Sequence, residues 1–201
     1  MSVTSTGLFW TPRSGGMMSA TLVVPLHAVL ETAVGSKRRD RIFETSGFRA
    51  LPRQDTPVPE GKIARLHETI RGDVPSLAPE ILDRAGRVAA EVVVSERITP
   101  ETRLLLQNMP WSLAAWLVGR LARQNAWAFS GSGLFAIQTT SRFALFNNPL
   151  TRGAEASAPA CHFHTAMFEH MFQRLVHRDF LCSEVTCCGA GHDSCTFCLS
   201  I

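Results

Sequence analysis

CHFHTAMFEHMFQRLVHRDFLCSEVTCCGAGHDSCTFCLSI, residues 161–201, decides the fold. Phe163, Met167, Phe168, Met171, Phe172, Leu175 and Val176 recur at helical spacing, which predicts a helix from Cys161 to His177 with one dense apolar stripe. Phe180 to Thr186 and Ser194 to Ile201 read as strands, and the glycine-bearing segment Cys187–Asp193 between them reads as a turn. A helix leading into a hairpin, preceded by further helices and strands, predicts an α+β fold with N-terminal helices packed on an antiparallel sheet.

Immediately upstream, Trp127–Thr140 and Arg142–Asn147 have the aromatic and β-branched character of strands. Ser130-Gly131-Ser132-Gly133 has neither the lysine nor the glycine spacing of a phosphate loop, so a bulge or turn is expected there. Asn147–Pro149 and Gly153–Pro159 read as loop. Before Trp127 the chain is helical. Pro110 opens a helix from Trp111 to Asn125, apolar most of the way round and therefore expected to be central. Thr99-Pro100-Glu101 is a helix start, with a hydroxyl cap, a proline at the first position and an acid at the positive dipole end. Ser76 is expected to cap a helix running to Ser95. A shorter helix carries Ile63, Leu66, His67 and Ile70 inward, with His67 expected to be packed rather than a ligand. Thr21–Val34 and Lys37–Thr45 complete the set, and the proline-bearing stretch Leu51–Gly61 reads as loop. The basic cluster Lys37, Arg38, Arg39 and Arg41 is a solvated face or, alternatively, a patch for acidic partners. Residues 1–20 read as a flexible N-terminal tail, leaving 21–201 as a single domain.

Composition narrows the function classes. An apolar fraction of 45% is enough to build a core, and a net charge of +3 is too small to imply nucleic acid. No apolar run is long enough for a transmembrane segment. The N-terminal stretch does not read as a secretory signal, which places the chain in the cytoplasm with reduced thiols.

All six cysteines, and five of the seven histidines, lie within 161–201. Cys187 and Cys195 flank the hairpin turn, and Cys161 lies near the start of the helix that leads into it, so three thiolates can converge on one ion. Tetrahedral zinc requires a fourth ligand. His164, His192, Cys188 or an acid from elsewhere could supply it. The competing reading is that these cysteines are small buried apolar residues. Cys182 and Cys198 read as packing residues within the strands. A Cys161–His162 or Cys161–His164 nucleophilic pair lacks an orienting third group, so no catalytic residue is assigned. No dinucleotide fingerprint, haem attachment motif or iron–sulfur run is present, so the chain shows no resident carrier of hydride or electrons.

SERITPETRLLLQNMPWSLAAWLVGRLARQNAWAFSGSGLF (95–135), NNPLTRG (147–153), CHFHTAMFEHMFQRLV (161–176) and EVTCCGAGHDSC (184–195) resemble the 4-vinyl reductase domain family, in its bacteriochlorophyll-biosynthesis branch. The resemblance is looser back to Ile63 and excludes residues 1–20. It implies a fold related to the ligand-binding fold of Golgi transport particle subunits, an α+β domain around an apolar pocket. It also implies a structural zinc on Cys161, Cys187 and Cys195 together with an upstream acid, although the region around Thr140 offers none. The implied function is to bind a divinyl tetrapyrrole intermediate, protochlorophyllide-like, and to assist reduction of its vinyl group. As an enzyme the chain would be a 4-vinyl (8-vinyl) reductase of a chlorophyllide precursor. The alternative is a stand-alone small-ligand-sensing or assembly module with a structural zinc site. Trp116, Trp127, Phe129 and Phe135 are the candidate pocket residues. Candidate partners are other pigment-synthesis enzymes and a second copy of the chain in a homodimer.

Overall fold

A computed structural model describes residues 16–54, 56–152, 154 and 159–201. The helical half comprises α1 (Val24–Val34), α2 (Ser36–Thr45), α3 (Glu60–Asp73), α4 (Ala78–Arg97), α5 (Pro100–Asn108), α6 (Trp111–Gln124) and the one-turn α7 (Trp127–Ser130). Two short strands, β1 (Met17–Ser19) and β2 (Pro57–Pro59), pair antiparallel beside it. The main sheet holds β3 (Leu134–Thr139), β4 (Arg142–Phe146), β5 (Leu181–Thr186) and β6 (Ser194–Ser200) in the order β3-β4-β6-β5, with every pair antiparallel. Between β4 and β5 runs α8 (His162–Leu175).

The expected α+β architecture is the one observed, and α8 is its axis. Its apolar stripe meets the sheet through Phe168 against Phe197, ring centroids 5.1 Å apart, and Phe172 against Phe143 at 5.6 Å. These are the tilted and edge-to-face geometries that aromatic quadrupoles favour. The opposite side of α8 packs along α4, which in turn packs on α1. That crossing is close because Gly86 of α4 has no side chain: a Cβ there would collide with the Phe163 carbonyl. Thr99 caps α5 as expected, accepting the Thr102 N–H at 3.3 Å. The expected Ser76 cap is not formed; Leu77 stands at the start of α4, with no side-chain cap bond.

Four segments depart from the sequence-based expectation. Residues 1–15 of the expected tail, and residues 153 and 155–158 of an expected loop, lie outside the described residues. The end of that tail is ordered: Met18 and Ala20 are fully buried, and Ala20 opens a 3-10 turn capped by Ser19. Pro57–Pro59, expected as loop, is β2, an edge strand of the kind that tolerates proline. Trp127–Ser130 is helix rather than strand. Its Trp and Phe fit either period over so short a run, and Gly131 (φ 54°) ends the turn in a conformation open to glycine. Finally, α6 is not central. Only Ala114, Ala115, Val118, Gly119 and Ala122 are buried, while Trp111, Leu113 and Trp116 point outward.

The serine–glycine turn after α7 is held by a carboxylate. Glu60, at the start of α3, accepts the Ser132 N–H and the Ser132 hydroxyl, both at 2.6 Å, and the Arg152 guanidinium at 2.7 Å. Burial would raise its pKa, but these donors outweigh that and hold it below the ordinary carboxylate value.

Candidate metal centre and adjoining cavity

The first turn of α8 and the β5–β6 hairpin bring four ligand atoms together. Cys161 precedes α8, Glu184 lies on the inward side of β5, Cys187 follows that strand, and Cys195 sits on β6 opposite Leu145 of β4. The Cys161, Cys187 and Cys195 sulfurs and a Glu184 carboxylate oxygen all lie within 4.8 Å of one another. The sulfur separations are 3.4 Å (Cys161–Cys195), 3.9 Å (Cys161–Cys187) and 4.0 Å (Cys187–Cys195). Tetrahedral thiolates at zinc's ordinary bond length stand about 3.8 Å apart, so the cage has the right size for that ion. One carboxylate oxygen of Glu184 accepts the Cys161 N–H at 2.8 Å. The other, Oε1, is buried and has no hydrogen-bond partner among the described residues. An orphaned anionic oxygen beside three thiols suits a cation ligand.

Hydrogen bonding supports the sulfurs from behind. The Asn148 side-chain amide donates to Cys161 Sγ at 3.3 Å and to Cys195 Sγ at 3.5 Å, and the Cys188 N–H donates to Cys195 Sγ at 3.3 Å. Asn148 Oδ1 accepts the Leu150 N–H at 3.1 Å, which fixes the amide with its NH2 toward the sulfurs. Such donors stabilise thiolates and orient metal ligands. Burial pushes the Cys161 thiol well up, and hydrogen bonding to its neighbours pushes Cys195 up. Hydrogen bonds from Cys161 and Cys195 pull Cys187 down, so without a metal the cluster concentrates its negative charge on that sulfur. Cys188 is pulled down to about 6, chiefly by Cys195, and burial raises Glu184 to about 7. A cation would relieve this crowding by favouring all the deprotonated forms together.

The three cysteines expected as ligands thus converge, and the fourth ligand position falls to Glu184. That acid is downstream of Cys161, not upstream near Thr140. Its signal in the sequence is an inverted strand: in Leu181–Thr186 the apolar Leu181 and Val185 face solvent, while Glu184 shares the inward side with Cys182 and Thr186. His192 is exposed and outside the cluster. His164 is fully buried, but its Nε2 donates to the Phe129 carbonyl at 3.1 Å. Cys182 and Cys198 lie apart from the cluster, half-buried on β5 and β6.

An apolar cavity of about 290 Å³ lies between α4, α6, α7, α8 and the 3-10 turn. Val93, Leu121, Trp127, Phe129, Met167 and Met171 form much of its wall, with Arg97 and Asn125 as polar groups. Of the four candidate pocket residues, Trp127 and Phe129 line it. Phe135 is buried behind Phe129, ring centroids 5.1 Å apart, and Trp116 stands on the outer face of α6. Helical spacing assigns the stripe of α8 to the core and gives no sign that part of it faces a cavity. Met167 and Met171, four residues apart, are unbranched gap-fillers of the sort that line adaptable pockets. The same helix therefore begins at the cysteine cage and forms a wall of the cavity.

Residues 142–201, which contain all four ligands of the cage, match the model of the 4-vinyl reductase domain family. Among solved structures, an H-NOX protein from K. algicida, Fe(II) unliganded, superposes with a TM-score of 0.58 at 10% identity, covering 91% of this chain and 96% of that one. An H-NOX protein from S. oneidensis in the Fe(II)NO ligation state gives 0.59 at 8% identity, covering 91% and 98%. At such identity the likeness establishes the fold alone. The bacteriochlorophyll synthase 23 kDa chain of Rhodobacter capsulatus is 28% identical over 173 residues, 85% of this chain and 81% of that one. The corresponding chain of Cereibacter sphaeroides is 30% identical over 188 residues, 92% of this chain and 91% of its own. Similarity of that extent, running through both the helical half and the cysteine cage, makes the chain a member of the bacteriochlorophyll synthase 23 kDa chain family.

Proposed function

We propose that the chain acts in bacteriochlorophyll biosynthesis by binding a divinyl tetrapyrrole intermediate, protochlorophyllide-like, and presenting its vinyl group for reduction. The observation that carries this reading is the cavity: apolar walls with few polar groups, on a chain whose family is named for bacteriochlorophyll synthesis. At about 290 Å³ it accommodates one edge of a macrocycle rather than the whole ring. The vinyl-bearing edge is the apolar one and enters, while Arg97 at the wall pairs with an acidic substituent left outside. The reducing equivalents come from a separate donor. Zinc in the cage would serve as a structural brace, held by Cys161, Glu184, Cys187 and Cys195.

Titrating purified protein with divinyl protochlorophyllide tests the proposal. A saturable shift of the Soret band at micromolar concentrations is expected, and Met171→Trp, which fills the cavity, should abolish it. No shift with the parent protein would refute pigment binding. Elemental analysis of protein purified without chelator should give one zinc per chain, falling in Glu184→Gln and Cys195→Ser. The modest cavity volume favours one second reading, a module that senses a smaller apolar ligand. In that case small aromatic compounds would raise the melting temperature and the pigment would not.

A further inference from the structure

We propose that the outward face of α5 and α6 docks on an anionic lipid surface. In α6 the usual arrangement is reversed. The inward face is built of small residues, Ala114, Ala115, Gly119 and Ala122, while Trp111, Leu113 and Trp116 remain 45–50% exposed. On the adjacent α5, Leu104 and Leu105 are each 63% exposed, and Leu106 alone is buried. A chain with a large aromatic core had the means to bury these side chains and leaves them in water instead, which marks an interaction surface.

The charge of this face selects the occupant. Residues 102–154 contain no aspartate or glutamate and five arginines. Arg120 and Arg123 share the exposed arc of α6 with Trp116, and the Arg120 guanidinium lies 5.5 Å from the Trp116 ring centroid. The one acid of α5, Glu101, sits in its first turn. A second copy of the chain is a poor fit, since a two-fold interface would set these arginines against their own copies with no acid to compensate. Tryptophan, leucine and arginine without acids is the composition of helices that lie in a membrane interface, with rings at headgroup depth and guanidinium groups on lipid phosphates. No helix among the described residues is long and apolar enough to cross a membrane, so contact through α5 and α6 would be peripheral. Leu121 and Trp127 border both this face and the cavity, so docking would bring the cavity mouth to the lipid.

The test is flotation of the full chain, without pigment, on vesicles of phosphatidylcholine alone and of phosphatidylcholine with phosphatidylglycerol. Association with the phosphatidylglycerol vesicles, weakened by salt, is expected. Arg120→Glu with Arg123→Glu, and separately Leu104→Ser with Leu105→Ser, should each weaken it about tenfold. These positions are exposed, so unchanged circular dichroism melting identifies folded variants, and tryptophan quenching by brominated lipids provides an independent readout in the parent chain. Three results would overturn the proposal: no association with either vesicle, equal association of parent and both variants, or a dimer in solution that either variant breaks while leaving vesicle association intact.

Discussion

His67 is fully buried on α3, edge-on to Phe163 at 5.3 Å, and its Nε2 has no partner among the described residues. Burial, then the nearby Arg71 and His164, hold its pKa well below the ordinary 6.5, and burial lowers His164 to about 4. The unfolded chain takes up these protons near pH 6.5 and the folded chain does not. Stability is therefore fully present above pH 6.5 and is lost as pH falls below it, by about 1.4 kcal/mol per pH unit for each histidine. Urea unfolding between pH 7 and 5 should show this decline, and His67→Leu should remove about 1.4 kcal/mol per unit of it. Parallel curves for parent and variant would show that His67 is not the source. The packed role of His67 was legible from its place on an apolar helical stripe. The role of Glu184 was not, because a lone acid in a short strand has the same pattern whether it faces solvent or a metal. Only the pairing of β5 with β6 settles which side is inward.

Among the elements, the long ones were readable and the short ones were not. The helices from α4 to α6, α8 and the final hairpin each carry enough periods for their apolar spacing to identify them. The one-turn α7 and the three-residue β1 and β2 are defined by contacts distant in sequence. Glu60 makes the central one, joining the start of α3 to the turn after α7 and to Arg152, which lies 92 residues further along the chain. Glu60→Ala would leave the buried Ser132 amide and hydroxyl without their acceptor, an expected loss of about 3 kcal/mol. Arg152 is half exposed, so Arg152→Ala should cost about 1 kcal/mol or less. Thermal unfolding of the two variants checks the ordering. A smaller loss for Glu60→Ala than for Arg152→Ala would mean that the turn does not depend on the carboxylate.

Across the whole molecule, the cage and the cavity share α8 and are joined by a second route. Asn148 donates to two of the cage sulfurs and its amide nitrogen lies 3.5 Å from His164 Nδ1; His164 Nε2 donates to the carbonyl of Phe129, whose ring lines the cavity. With Nε2 carrying the proton, Nδ1 is left as an acceptor, so the Asn148–His164–Phe129 chain is consistent in its donors and acceptors. A metal that fixes the cage would thereby fix the start of α8 and the Phe129 wall, and a ligand pressing on that wall would favour the metal-bound arrangement. Coupling between sites is reciprocal in free energy and is ordinarily about 1–3 kcal/mol. Removing the metal by chelation should weaken pigment binding at least about fivefold, and saturating pigment should lower the equilibrium loss of metal to a chelator by the same factor. Asn148→Ala retains all four cage ligands and removes the donor that connects them to His164, so it should reduce both effects together. Equal pigment affinity with and without metal would confine the cage to bracing the β5–β6 hairpin. An effect in one direction only would violate linkage and would point instead to partial unfolding of the metal-free chain.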